Sequence, residues 1–131
     1  MITLDTHVII WHALQPEKIT SRVRKLIDQA NEIGEILIAD ISLWEIAMLM
    51  SKGRLVVDTT YPEFIRLIQT ANRYVIQAIT PEIADLSASL GTEINLDPAD
   101  RLIGATSIIK GAPLITADAN LRSAKMVKTI W

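Results

Sequence analysis

The sequence predicts an α/β fold, a three-layer α/β/α sandwich around a mainly parallel sheet. Short β-rich runs alternate with helical patterns along the chain, the order that produces parallel strands with helices on both faces. The run Ile36 to Ala39 is continuously apolar, as a strand covered on both faces must be. Several acids fall just past strand ends, where open α/β sheets hold their ligands.

Composition fits this. At 131 residues, half of them apolar and 21% charged, the chain suits a single domain over 1–131 with a sizeable core, and disorder is excluded. There is no cysteine, which excludes disulfides and thiolate metal sites and agrees with a reducing cytoplasm. No apolar run spans a bilayer, and the chain opens directly as a strand without a signal-peptide pattern, so no membrane partner is expected. A net charge of −2 carries no global basic signature; any nucleic-acid contact must be local or assisted by metal ions or another chain.

Met1 to Leu4 is the first strand, ending at Asp5-Thr6-His7, and Val8 to Leu14 continues as an almost wholly apolar helix that Pro16 ends. A second helix, about Thr20 to Asn31, carries Val23, Leu26, Ile27 and Ala30 at helical spacing, with Arg22, Arg24, Lys25 and Asp28 on a solvated face. After the Ile36–Ala39 strand, a helix from about Leu43 to Ser51, closed by Gly53, is apolar nearly all round. Thr60-Tyr61-Pro62-Glu63 has the capping-box pattern and opens a helix with Phe64, Leu67, Ile68 and Ala71 as its stripe. Tyr74 to Ile79 is the third strand. Thr80-Pro81 caps a helix running to about Leu90. Leu114 to Thr116 and Val127 to Trp131 are the last strands, separated by a short helical turn after Asp118.

The stretch from Asp97 to Ser107 organises the rest. Asp97 suits an N-cap, Pro98 the first helical position, and Asp100 the first turn, where the helix dipole favours its ionised form. Below Asp100 the positions Gly104, Ser107 and Gly111 predict a small, open face, and Ala99, Leu102, Ile103, Thr106 and Ile109 a core-facing stripe.

Asp5, Asp40, Glu45 and Asp118 follow strands at the same sheet edge, and Asp100 can lean over it. Each acid also has a structural reading. Asp5, Asp97 and Asp118 can each cap a helix, Glu45 completes a formal capping box with Ser42, and Asp40 reads as a strand-end surface acid. Caps, however, have no need to gather at one edge. Carboxylates brought together repel and raise one another's pKa, and a hard divalent cation such as Mg²⁺ or Mn²⁺ offsets that. Such a centre polarises phosphoryl oxygens and activates water.

Other chemistries lack their residues. No G-x-S-x-G, Walker A loop or dinucleotide fingerprint is present, and aromatics at 5% are too few for a sugar cleft. His7 and His12, five apart, are badly spaced for one metal; His12 reads as packing or surface, while His7, beside Asp5, could meet a substrate phosphate.

Four blocks in order, Leu4-Asp5-Thr6-His7-Val8-Ile9-Ile10-Trp11, Ile41-Ser42-Leu43-Trp44-Glu45-Ile46-Ala47, Asp97-Pro98-Ala99-Asp100-Arg101-Leu102-Ile103-Gly104-Ala105-Thr106 and Leu114-Ile115-Thr116-Ala117-Asp118, resemble the PIN domain, and more narrowly the VapC-type toxins of bacterial toxin–antitoxin pairs. The likeness covers essentially the whole length. It implies a PIN-like sandwich and a metal-dependent ribonuclease, with Asp5, Glu45, Asp100 and Asp118 as catalytic acids and metal ligands for Mg²⁺ or Mn²⁺. It implies hydrolysis of RNA by in-line attack of metal-activated water, a homodimer, a cognate antitoxin and a cytoplasmic location. Asp5 and Asp100 are then the primary ligands and Asp118 a ligand directly or through water. Glu45 completes the coordination or serves as general base. Thr6 and Thr116 match polar positions beside the metal. His7 departs from the small polar residue common at its position. Asp97 keeps the cap role, and Arg101 and Arg122 stay outside the site. The rival readings are a catalytically silent PIN-like binding module and a metal-dependent phosphatase or DNA nuclease. The Leu43–Met50 helix, or the first two helices, is the expected surface for dimer and antitoxin contacts, against a reading in which all of it is core.

Overall fold

The computed structural model describes residues 1–92, 94 and 97–131. Strand β1 (Ile2–Leu4) leads into α1 (Thr6–Leu14), a 3₁₀ turn at Pro16–Lys18 and α2 (Ser21–Glu32). Strand β2 (Ile36–Ala39) is followed by α3 (Ile41–Ser51) and α4 (Tyr61–Ala71), and β3 (Tyr74–Gln77) by α5 (Pro81–Ser89) and α6 (Pro98–Lys110). Strand β4 (Leu114–Ile115), α7 (Ala119–Ser123) and β5 (Thr129–Ile130) complete the order.

The five strands form one sheet in the order β3-β2-β1-β4-β5, and every pair is parallel. The chain moves outward from β1 to β3 and then returns to the other side of β1. The direction of winding therefore reverses between β1 and β4, and the crevice beyond the carboxyl ends there is where such sheets bind ligands.

Alternation along the strands divides the core. Ile2, Leu4, Ile36, Ile38 and Ile115 pack with residues of α1, α2 and α4, while Ala39 and Leu114 pack with residues of α5, α6 and α7. Both sheet faces are covered, which explains the continuous apolar run of β2. Threonine hydroxyls cap three helices: Thr20 accepts from the Val23 N–H, Thr60 from Glu63 and Thr80 from Ile83. Gly111 ends α6 at φ 59°, a left-handed conformation that costs glycine least.

Four expectations are corrected. Helix α3 starts at Ile41, so Ser42 lies inside its first turn and the Ser42–Glu45 capping box does not form. Asp40 is half-buried rather than a surface acid: its Oδ2 accepts from the Ile79 N–H at 3.2 Å, tying the exits of β2 and β3 together. The face below Asp100 is not open. Gly104 and Ser107 are buried, because Ile94 and Val127 pack over Gly104. The Ser107 hydroxyl donates to the Ala112 carbonyl at 2.7 Å, and Thr3 donates to the same oxygen at 3.0 Å, stitching the end of α6 to β1. Of the stripe expected opposite, Ile109 is 44% exposed.

Candidate active site

Asp5 leaves β1 at the switch point and is both N-cap and candidate site residue. Its Oδ1 accepts from the Thr6 N–H at 2.8 Å, and its Oδ2 accepts from the Thr116 hydroxyl at 2.7 Å. Only 6% of the residue is exposed. Burial pushes its pKa up; the Thr116 and Thr6 hydrogen bonds and the nearby His7 oppose that, and Asp118 adds to it.

Thr116 follows β4, and its Oγ1 also accepts from the Asp118 N–H at 3.0 Å. Asp118 in turn caps α7, accepting from the Leu121 N–H at 2.9 Å. Cap and site are again the same residue.

On the other side of Asp5, Thr6 is buried and its hydroxyl donates to Glu45 Oε1. Thr6 has one hydroxyl proton, so the Ser42 hydroxyl, 2.9 Å away, donates to Thr6. Ser42 and Glu45 are three apart on α3 and share a face. Burial raises the Glu45 pKa; Thr6 lowers it, and Asp5, Asp100 and Asp97 raise it further. Asp100 sits half-buried in the first turn of α6, which packs on α3. Asp97 caps that helix, its Oδ1 accepting from Ala99 at 2.8 Å and Asp100 at 3.3 Å.

The result is a hydrogen-bonded chain, Glu45–Thr6–Asp5–Thr116–Asp118, flanked by the charge of Asp100. The acids feel one another's fields, but among the described residues no three His, Asp or Glu side chains form a ready-made ligand cage. The donor set nevertheless fits a hard divalent cation: it is all oxygen, it contains no thiol, and burial, with the neighbouring acids adding to it, raises the pKa of Asp5 and Glu45.

The remaining candidates separate cleanly. His7 is exposed and packs on Trp11, with ring centroids 6.0 Å apart. His12 turns away: its Nδ1 lies 2.9 Å from the Tyr74 hydroxyl and its Nε2 3.6 Å from Asp28. Arg101 is a staple, donating to main-chain carbonyls of Ser87, Leu90, Gly91 and Ile94 between α5 and α6. Arg122 is exposed on α7. Ser42 is the member of the network that the sequence pattern assigns elsewhere; the signal available was a small hydroxyl on one face with Glu45 in the first turn of a mostly apolar helix.

Acids at the switch point of a five-stranded parallel sheet, one of them buried and joined to its neighbours through Thr6 and Thr116, define the class as an α/β/α domain with a carboxylate-rich carboxyl edge. The chain belongs to the PIN domain family, which it matches over residues 2–126. It is 33% identical to Ribonuclease VapC22 of Mycobacterium tuberculosis, covering 99% of this chain and 98% of that protein. Its fold is that of the VapBC2 complex of Rickettsia felis bound to a promoter DNA fragment, with a TM-score of 0.73, 18% identity and coverage of 99% and 98% of the two chains. A toxin–antitoxin complex from Klebsiella pneumoniae is similar in fold at a TM-score of 0.64 and 23% identity, covering 98% and 97%.

Proposed function

We propose that this chain is a metal-dependent endoribonuclease of the VapC type, the toxin of a toxin–antitoxin pair, acting as one domain over residues 1–131. The observation that carries the reading is the hydrogen-bonded acid chain from Glu45 to Asp118 at the switch point. The full-length likeness to a named ribonuclease supports it.

Asp5, Asp100 and Asp118 would hold Mg²⁺ or Mn²⁺, with Glu45 completing the set. Bound there, the ion supplies Lewis-acid polarisation of a phosphoryl oxygen and lowers the pKa of water. The chain's own residues do the rest. Thr6 and Thr116 fix the Asp5 carboxylate from both sides, so its orientation is set before substrate arrives. The Ser42–Thr6 relay holds Glu45 by Oε1, and the raised pKa of Glu45 suits it to accept the proton of the attacking water. Burial maintains that basicity, and the charges of Asp5, Asp100 and Asp97 add to it.

The partners of this reading are an RNA substrate, a cognate antitoxin and a second copy of the chain. Trp44, 56% exposed on α3, is the kind of apolar surface a protein partner covers. Among the described residues no helix is long and apolar enough to cross a membrane, and the reading places the protein in the cytoplasm with its RNA. The test is a panel of labelled RNA, DNA and phosphate-ester substrates with Mg²⁺ or Mn²⁺. RNA cleavage lost in Asp5→Asn and Asp100→Asn supports the reading. Cleavage surviving both substitutions, or confined to DNA or phosphate esters, removes it.

A further inference from the structure

An aromatic row starts at the acid cluster and runs away from it. Strand register sets its origin. Leu4 pairs with Ile115 and Ile115 with Ile130, so the next residues, Asp5, Thr116 and Trp131, stand abreast at the carboxyl edge. The ladder bonds Asp5 N–H to the Ile115 carbonyl at 3.1 Å and Thr116 N–H to the Ile130 carbonyl at 3.3 Å continue the sheet to that level. Two strand spacings separate Trp131 from Asp5, about 10 Å of main chain.

From the other direction, α1 carries His7 and, one turn on, Trp11. The His7 and Trp11 rings are 6.0 Å apart at 52°, and Trp11 and Trp131 are 5.9 Å apart at 56°. Both tryptophans are half-buried, lying on the core with part of each residue accessible.

Cations gather along this row. Lys18 Nζ stands 5.7 Å over the Trp11 ring, and the Arg22 guanidinium donates to the Trp131 main-chain oxygen at 3.5 Å. Beyond Trp131 a cleft of about 530 Å³ is lined by Arg22, Arg122, Ser123 and Thr129. Lys18 and Arg122 form no ion pair among the described residues. In a chain of net charge −2, positive side chains from the 3₁₀ turn, α2 and α7 thus lie along the two tryptophans and the cleft beyond them. Two tryptophans covering a core have no need of three cations from separate elements. A polyanion with accessible base faces does.

We infer that His7, Trp11 and Trp131, with Lys18, Arg22 and Arg122, form a shelf that binds a single-stranded segment of RNA leading into the acid site. This rests on the ribonuclease reading above. Stacking on aromatic side chains requires bases free of a duplex, and the cations track the phosphates. The acids repel the backbone, so its hold must come from positive charge placed a few residues away.

Binding of labelled single-stranded oligouridylate to the full chain, measured in EDTA to prevent cleavage, tests the shelf separately from the chemistry. Trp11→Leu and Trp131→Leu keep apolar cover but remove stacking; each is expected to weaken binding about five- to hundredfold. Trp11→Phe is expected to retain most of it. Lys18→Gln and Arg122→Gln, which spare the core, are each expected to lower the slope of log affinity against log salt by roughly 0.7. A duplex RNA of the same length is expected to bind more weakly. Leucine variants that melt like the parent and bind oligouridylate equally well overturn the shelf, as does a preference for duplex. Loss of self-association with RNA affinity unchanged would assign the face to a protein contact and also overturn it. If a leucine variant fails to fold, unchanged salt slopes in the Gln variants still refute the proposal. The parent's cleavage of RNA in Mg²⁺ is read independently: a parent that cleaves while the variants bind normally sinks the shelf alone. A parent that never cleaves RNA sinks the functional reading.

Discussion

Thr6→Val tests the centre of the site without changing its shape. Valine keeps the branched volume of a residue that is 1% exposed, but deletes the hydroxyl joining Ser42 to Glu45. Two costs follow. Glu45 loses a hydrogen bond to a charged group, and the Ser42 hydroxyl, 0% exposed, is left without its acceptor. Together these amount to about 3 kcal/mol, allowing for partial rearrangement. For a domain of this size that corresponds to a fall in melting temperature of roughly 9–15 °C. The pH dependence gives the sharper signature. The folded-state pKa of Glu45 is raised, so its contribution to stability is complete below its unfolded pKa and is lost as pH rises through the folded value. Thr6 is what holds that pKa down, so removing it moves the loss to higher pH and enlarges it. The deficit of Thr6→Val relative to the parent is therefore smaller at pH 4 than at pH 8. Calorimetric melts across that range in EDTA measure it. A variant whose melting temperature matches the parent at every pH would refute the Thr6–Glu45 link and the relay built on it.

Four further outcomes are expected. Asp5→Asn abolishes metal-dependent RNA cleavage yet raises the metal-free melting temperature at neutral pH, because a buried charge held at raised pKa is removed; thermal melts and gel assays on one preparation read both. The metal-free parent gains stability as pH falls from 7 toward the ordinary carboxylate range, since the pKa values of Asp5 and Glu45 are raised in the fold; millimolar Mn²⁺ stabilises it at pH 7, and a melt that ignores both pH and Mn²⁺ contradicts this. Gly104→Ala is tolerated and stabilises by about 0.5–1 kcal/mol through helix propensity, as the added Cβ meets Ile94 at 3.4 Å and Val127 at 3.5 Å, ordinary contacts; denaturant titration decides it. Arg101→Met loosens the α5–α6 connection at a cost of about 2–4 kcal/mol, visible in urea midpoints, while leaving the Thr6, Asp5 and Thr116 hydrogen bonds in place.

Much of the fold was legible in local chemistry. Asp97 with Pro98, Thr20, Thr60 and Thr80 mark helix starts because capping is decided within three or four residues. The apolar run at Ile36–Ala39 marked a strand covered on both faces for a similar reason. What escaped was long-range. Ser42 and Glu45 matched a capping box, but the Thr6 hydroxyl, 36 residues upstream of Ser42, claimed both. Gly104 and Ser107 read as an open face because nothing local announces that Ile94 and Val127 close over them. Asp40 reads as a surface acid in the sequence because its acceptor role toward Ile79 depends on the pairing of β2 with β3. Asp5, Glu45 and Asp118 are legible as candidates from their positions past strand ends and Asp100 from its place in the first turn of α6; Thr6 and Thr116 are visible only through the family resemblance. The row from His7 to Trp131 joins opposite ends of the chain, and periodicity carries no trace of it.

The middle strand of the sheet is the earliest in sequence, and one of its neighbours is among the last. Thr3 pairs with Leu114, and the Asp5 N–H finds its acceptor at Ile115, more than a hundred residues away. During synthesis, therefore, the amino-terminal half emerges with one edge of its central strand bare and Asp5 without its Thr116 partner. No truncated product ending before β4 can assemble the acid chain. A chain laid out this way completes its row of acids in a single late step, when translation is nearly finished, rather than by degrees.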